Sequence, residues 1–138
     1  MIKFLDLEAI NNIYRDELKS TFERILDSGW YILGEEVKRF ENNFSNFCQT
    51  KYCIGVGSGL DALKIIFRSY IHLGVLEHGD EVIVPANTYI ASIIAITEVG
   101  LKPVLVEPVL STYNIDSNKL GEHLSPRTKA ILCVHLYG

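Results

Sequence analysis

The segment YCIGVGSGLDAL, residues 52–63, decides how the rest of the chain is interpreted. Its apolar start predicts a short buried strand over residues 52–56, Gly57-Ser58-Gly59 predicts a turn, and the remainder predicts the start of a helix. The first amides of a helix have no partners within the helix, so a turn at this point suits an anion such as a phosphate. Ser58 and Asp61 also have the spacing of a capping box, in which Asp61 bonds back to the Ser58 amide and no ligand is needed.

The composition is that of a soluble globular protein. The 138 residues include 13 Lys and Arg against 17 Asp and Glu, a formal net charge of −4. Because no basic cluster is present, we expect no nucleic-acid partner. No apolar run is long enough to span a bilayer, and acidic residues interrupt the N-terminus where a signal peptide would be apolar. We therefore expect a cytoplasmic protein without a membrane partner.

The three cysteines are Cys48, Cys53 and Cys133, and they form no C-x-x-C pair. An odd, scattered set of this kind is typical of reduced thiols rather than of a disulfide framework. No spacing of His, Cys and acidic residues matches a metal site, so we predict no metal.

Two amphipathic helices precede the opening segment. Apolar residues recur at steps of three and four over residues 7–26 and predict the first helix, which Gly29 ends in a left-handed conformation. The same spacing predicts a second helix through Val37, Phe40, Phe44 and Phe47. We therefore divide the chain into an N-terminal helical segment, residues 1–50, and part of a large α/β domain, residues 51–138.

Strands and helices alternate from Tyr52 onward. Strands are predicted at residues 81–84, 103–106 and 130–135, and the helix before residue 100 is expected to be capped by Thr88 or Asn87. The alternation predicts an α/β fold, a mostly parallel sheet with helices on both faces. Since the last predicted strand has no covering crossover after it, we expect the chain to be the front part of a larger fold.

Ligands of parallel sheets bind at the carboxyl ends of the strands. In this chain the glycine turn, residues 85–89, Glu107-Pro108 and residues 135–137 follow predicted strands. These four loops should therefore converge on one rim and form a binding site.

Two ligand classes are candidates for the site at this rim. Gly57–Ala62 satisfies the G-x-G-x-x-A pattern of dinucleotide-binding proteins, but the acid that this fingerprint needs after the next strand is replaced by Val84-Pro85-Ala86. A phosphorylated planar cofactor is the alternative, with its phosphate on the glycine turn and its ring against Tyr89. Packing in the core remains the ordinary role for an aromatic residue at this position.

Five segments in order, GVGSGLDAL, VIVPANTYIAS, VEP…TYNID, SPRTKAI and VHLYG, resemble the DegT-type sugar-nucleotide aminotransferases. FLDL and DSGWYILGEEVKRFENNF resemble the N-terminal segment of the same family. The resemblance implies the fold of type I enzymes that use pyridoxal 5'-phosphate (PLP). DSGWYILG and PANTYIA are most similar to members that aminate C3 of a dTDP-3-keto-6-deoxyhexose. The implied role is therefore deoxysugar biosynthesis, supplying an amino sugar for a surface glycan such as the O-antigen of lipopolysaccharide.

The resemblance also implies roles for individual residues. PLP would be held through its phosphate by Gly57 and Ser58 with the amides of Gly59 and Leu60, and Tyr89 would stack on its ring. The resemblance implies Tyr31 as a contact to the nucleotide-linked keto-sugar, and Asn87 and Tyr137 are further candidates because they lie in the predicted rim loops. Family members are homodimers that share active sites between subunits, and glutamate commonly donates the amino group.

No catalytic residue is assigned within this chain. The acid that pairs with the pyridine nitrogen and the lysine that binds PLP covalently lie beyond Gly138 in the family's pattern. The resemblance therefore predicts that the 138 residues alone cannot transaminate. Two other hypotheses stay open: a non-catalytic remnant or interaction module that keeps the phosphate turn, and a dinucleotide-binding domain.

Overall fold

The computed structural model describes residues 3–138. The chain forms two compact units, of which the first ends at Gly55 and the second is Val56–Gly138. Over residues 3–138, no helix combines the length and the apolar character that crossing a bilayer requires. The division into domains between residues 50 and 51 stays a prediction.

The first unit contains three helices: α1 (Leu7–Ile13), α2 (Arg15–Ser28) and α3 (Glu35–Phe47). Asp6 begins α1, because its carboxylate accepts a hydrogen bond from the Ala9 amide at 3.0 Å. Gly29 ends α2 in the left-handed region with φ 63°, which confirms the predicted helix end.

The prediction of a single helix over residues 7–26 is wrong, because the helix is interrupted at Tyr14. This residue has φ −107° and ψ 9°, and its amide bonds to Asn11 O in a tighter turn. This i→i−3 bond takes the place of the i→i−4 bond of a continuous α-helix, so α1 and α2 are separate helices.

The second unit is organised on three strands: β1 (Glu81–Pro85), β2 (Lys102–Val106) and β3 (Thr128–Ile131). The strand order is β2-β1-β3, and both pairs are parallel, as the sequence predicts. The central strand is the most buried, and Val82, Ile83 and Val84 are all 0% exposed.

Two helices pack on one face of this sheet: α4 (Gly59–His72) and α5 (Ile90–Glu98). Phe67 of α4 and Ile96 of α5 join Val82 and Val84 of β1 in one apolar cluster. Ile83 points to the opposite face, because side chains alternate along a strand, and it too is fully buried. A 3₁₀ turn, Ser117–Lys119, leads into the short α6 (Leu120–His123) between β2 and β3.

The strand predicted over residues 52–56 is wrong. This segment is not part of the sheet, and Tyr52 and Ile54 are 73% and 78% exposed. An apolar run favours a strand, but a strand forms only where a neighbouring backbone pairs with it. Within residues 3–138, the only strands that pair in the sheet are β1, β2 and β3.

The strand predicted over residues 130–135 is present but shorter and displaced, since β3 ends at Ile131. The Leu132 amide still donates to Ile83 O at 2.8 Å. In a parallel ladder the next donor would be the amide of Pro85, and proline has none. The strand therefore ends where its partner can no longer donate.

The predicted cap of α5 is also wrong. The N-cap is Tyr89, which makes no side-chain cap bond. Thr88 donates to Ser92 Oγ at 2.9 Å, and the Asn87 side chain is held by a different loop.

The turn after α5 gives the first testable prediction. Gly100 has φ 81°, and a Cβ there would overlap the His78 ring. We expect Gly100→Ala to lower the free energy of unfolding of the full-length protein by about 2–4 kcal/mol, from the left-handed backbone plus the overlap. Urea denaturation at constant m-value measures this change.

Gly74→Ala is the matched control, because Gly74 has φ 72° but a Cβ added there would meet no atom within 4 Å. It should cost only about 1 kcal/mol, the conformational part. Adding His78→Ala to Gly100→Ala should recover the difference, and equal losses for the two single alanine variants would contradict the overlap.

Candidate functional site

The carboxyl ends of β1, β2 and β3 lie at one edge of the sheet, because all three strands are parallel. The loop with Asn87 and Tyr89 follows β1, the loop with Tyr113 follows β2, and the segment with Tyr137 follows β3. As the crossover from β1 to β2, α5 begins at this same edge. The fold therefore brings these three loops to one side of the unit.

The glycine turn opens α4 as predicted, with Ser58 as its N-cap. Ser58 is extended, with φ −157° and ψ 165°, and its Oγ accepts from the Asp61 amide at 3.2 Å. The other half of the predicted capping box is wrong. The Asp61 carboxylate accepts from the Ser58 hydroxyl at 2.7 Å instead of from the Ser58 amide, because this hydroxyl lies within its reach.

The turn presents free hydrogen-bond donors. Across residues 3–138, no acceptor is bonded to the amides of Gly59 and Leu60. Gly57, Ser58 and Gly59 are exposed, and a Cβ on Gly59 would meet no atom within 4 Å. Two neutral amides beside a hydroxyl, at the positive end of a 14-residue helix, match the donors that a phosphate group accepts.

Tyr89 lies at the start of α5 with 73% of its surface exposed. Its ring is therefore not part of the core of this unit, which was the ordinary alternative for this residue. An exposed phenol at the carboxyl end of a parallel strand offers a flat face to an aromatic ring. The pairing of Tyr89 with a cofactor ring stays a prediction.

Asn87 and Tyr137 are brought together through Tyr113, a residue that sequence reasoning missed. Asn87 Nδ2 donates to Tyr113 O at 3.0 Å, and the Tyr113 ring meets the Tyr137 ring edge-on at 5.4 Å between centroids. Tyr113 has φ 57°, a conformation uncommon for a residue with a side chain. The sequence carries no signal for this contact, because it joins loops that follow different strands.

Tyr31 lies in the first unit, where it lines a cavity of about 360 Å³. Trp30, Arg24 and Arg39 line the same cavity, and Arg24 is paired with Glu36 at 3.1 Å. The cavity thus combines aromatic rings with partly neutralised cations. A role for Tyr31 in binding a substrate stays a prediction.

In the part of the chain that the structure describes, no three His, Cys, Asp or Glu side chains cluster in a way that would hold a metal ion. The glycine turn and the three loops carry amides, hydroxyls and phenols together with the carboxylates of Asp61 and Glu107.

A family comparison matches residues 12–138 to the DegT/DnrJ/EryC1/StrS aminotransferase family. The chain is 58% identical over 138 residues to dTDP-3-amino-3,6-dideoxy-alpha-D-galactopyranose transaminase of Aneurinibacillus thermoaerophilus, a match that covers 100% of this chain and 37% of that protein. It is 44% identical over 137 residues to dTDP-3-amino-3,4,6-trideoxy-alpha-D-glucose transaminase of Streptomyces venezuelae, and this match covers 99% and 35% of the two chains.

Solved structures are similar in the same way. The crystal structure of S. venezuelae DesV matches with a TM-score of 0.90 and 44% identity, over 99% of this chain and 36% of that one. The E. coli GDP-4-keto-6-deoxy-D-mannose-3-dehydratase, solved with bound hydrated PLP, matches with a TM-score of 0.81 and 33% identity, over 87% and 31%. The chain therefore spans about a third of the length of these relatives. The similarities confirm the resemblance and the fold class that the sequence indicates.

The Asn87 hydrogen bond gives the second prediction. We expect Asn87→Ala to release the loop after β2, because it removes the bond to Tyr113 O. A single hydrogen bond of this kind contributes about 1 kcal/mol, so amide exchange over residues 109–114 should accelerate by about three- to tenfold.

Hydrogen exchange with mass spectrometry on the full-length protein measures this change. Asn118→Ala is the matched control, since Asn118 is exposed and only its backbone amide is bonded, to Asp116 Oδ1 at 3.0 Å. Equal exchange in the two variants would show that Asn87 does not restrain the loop.

Proposed function

The chain belongs to the DegT/DnrJ/EryC1/StrS aminotransferase family, and we propose that it is the N-terminal part of a PLP-dependent aminotransferase. The enzyme transfers an amino group, from glutamate, to a nucleotide-linked keto-deoxysugar such as dTDP-3-keto-6-deoxyhexose.

The observation that carries this proposal is the donor set at the start of α4. The amides of Gly59 and Leu60 lie together at a helix N-terminus beside the Ser58 hydroxyl, with open space above Gly59. Donors of this kind bind the phosphate of PLP without a counter-charge from lysine or arginine. When bound, PLP supplies the electron sink that amino-group transfer requires.

The remaining candidate residues orient the ring and the sugar. Tyr89, exposed at the start of α5, covers one face of the PLP ring and fixes its plane. Asn87 and Tyr137 border the same edge of the sheet and contact the substrate there. Tyr31 lines the cavity of the first unit and contacts the sugar nucleotide.

The relatives support the class of substrate. The A. thermoaerophilus relative, at 58% identity, is a transaminase of a dTDP-linked 3-amino-3,6-dideoxysugar. Relatives at 42% and 41% identity are a UDP-sugar aminotransferase of Pseudomonas aeruginosa and a GDP-perosamine synthase of Caulobacter vibrioides. Because the relatives at 58% and 44% identity are both transaminases of dTDP-linked 3-amino sugars, a dTDP-linked sugar aminated at C3 is the substrate that we propose.

The amino sugar is destined for a surface glycan such as the O-antigen of lipopolysaccharide, and the enzyme is a cytoplasmic homodimer. Support for the dimer comes from the first unit, whose helices keep large apolar side chains exposed, including Leu18 and Phe22 of α2 and Phe40 of α3. Exposed faces that carry several large apolar side chains favour a partner that covers them.

The third prediction tests the stacking residue. Tyr89→Ala should weaken PLP binding to the full-length apoprotein by about tenfold, because an aromatic pair contributes about 0.5–1.5 kcal/mol beyond burial. Tyr89→Phe keeps the ring and should bind PLP as the wild type does. Absorbance titration with PLP measures both, and turnover of glutamate with a dTDP-3-keto-6-deoxyhexose tests the reaction.

A full-length protein that binds no PLP would end this proposal. Equal affinity in Tyr89→Ala and the wild type would remove Tyr89 from the site but leave the reaction standing.

The fourth prediction concerns residues 1–138 alone. Treatment with PLP and then borohydride should give no specific, stoichiometric adduct, because none of the lysines in this chain lies in the family's PLP-binding segment. Peptide mass spectrometry measures labelling, and circular dichroism checks that the fragment is folded. A single labelled lysine together with turnover would contradict the prediction.

A further inference from the structure

We infer that Asp61 sets the phosphate affinity of the turn, because its carboxylate competes with a bound phosphate for the Ser58 hydroxyl proton. Asp61 thereby acts as a positioning residue that weakens phosphate binding. The inference rests on the proposed function, since it concerns the same turn.

The hydrogen bonds of Ser58 carry the first step. A serine hydroxyl has one proton to donate, and an ionised carboxylate can only accept. Ser58 Oγ and Asp61 Oδ2 are 2.7 Å apart, so Ser58 is the donor in this contact. Ser58 Oγ also accepts a hydrogen bond from the Asp61 amide at 3.2 Å. Because the hydroxyl donates its one proton to Asp61, it can only accept a hydrogen bond from any further partner.

A phosphate oxygen is also an acceptor, so it cannot bond to Ser58 until that proton is redirected. Binding therefore exchanges one charge-assisted hydrogen bond for another, and the net gain from Ser58 is small. The amides of Gly59 and Leu60 remain as the donors that bind without such an exchange.

Charge carries the second step. Asp61 Oδ2 would lie 3.2 Å from a Cβ on Gly57, so the carboxylate sits directly beside the turn. Throughout residues 3–138, no lysine or arginine forms a salt bridge with Asp61. Its charge is thus left to repel a phosphate dianion bound a few ångströms away, which weakens binding by about tenfold at low salt.

The experiment compares the full-length wild type with Asp61→Asn, a neutral variant of the same shape. Three ligands are titrated: PLP and pyridoxal by absorbance, and inorganic phosphate by ³¹P NMR. We expect Asp61→Asn to bind PLP and inorganic phosphate about tenfold more tightly at low salt. Pyridoxal, which has no phosphate, should bind equally to both proteins.

Two further readouts separate this role from a structural one. The gain for phosphate should shrink as ionic strength rises, because salt screens the repulsion. In a Ser58→Ala background the gain should also be smaller, since no hydroxyl proton remains to be competed for. A change caused only by altered folding would follow neither pattern.

Glu122→Gln is the matched control for charge, because Glu122 is an exposed acid in the first turn of α6. It should leave all three affinities unchanged. If Asp61→Asn is unstable, Asp61→Ser provides a second neutral variant, since serine suits helix N-termini.

The outcomes distinguish the two proposals. A wild-type protein that binds no PLP overturns the proposed function and this inference with it. A wild type that binds PLP, beside neutral variants that bind phosphate no more tightly, overturns the role of Asp61 alone.

Discussion

Burial of the central strand is the constraint on which the second unit depends. Val82, Ile83 and Val84 have no exposed surface, so β1 needs cover on both faces of the sheet and a paired strand on either side. Helices α4 and α5 cover the face of Val82 and Val84. Because β1 pairs in parallel with both β2 and β3, every loop that follows one of these strands lies at the same end of the sheet.

The phosphate site that we propose at the glycine turn relies on backbone groups more than on charged side chains. The Gly59 and Leu60 amides face outward because a helix leaves its first donors unpaired. Glycine at position 59 keeps the space above them open. The proposed phosphate site is thus a feature that any helix has, made accessible here by one residue without a side chain. Asp61 sits beside these donors and adds a negative charge to a site that attracts anions.

The loops are held to one another as well as to the sheet. Asn87 after β1 bonds to the backbone of Tyr113 after β2, and the Tyr113 ring contacts Tyr137 after β3. Tyr113 adopts a left-handed backbone to make both contacts. A strained residue persists where surrounding contacts determine its conformation, and such positions are common at functional sites. The edge proposed to bind the sugar is therefore shaped by contacts between loops.

The amino-acid sequence by itself determined the parallel α/β class, the two strands at residues 81–84 and 103–106, the Ser58 cap and the family, because these depend on local periodicity and on ordered segments. Tertiary structure decided the rest. The apolar run at residues 52–56 stays outside the sheet because no strand pairs with it, and β3 stops early because Pro85 has no amide to donate. Asn87 bonds to Tyr113 rather than capping α5. The sequence alone does not show which of these two partners its side chain takes. Local patterns predict the conformation and the partners that a residue favours, whereas contacts between distant parts of the chain decide which of these it adopts.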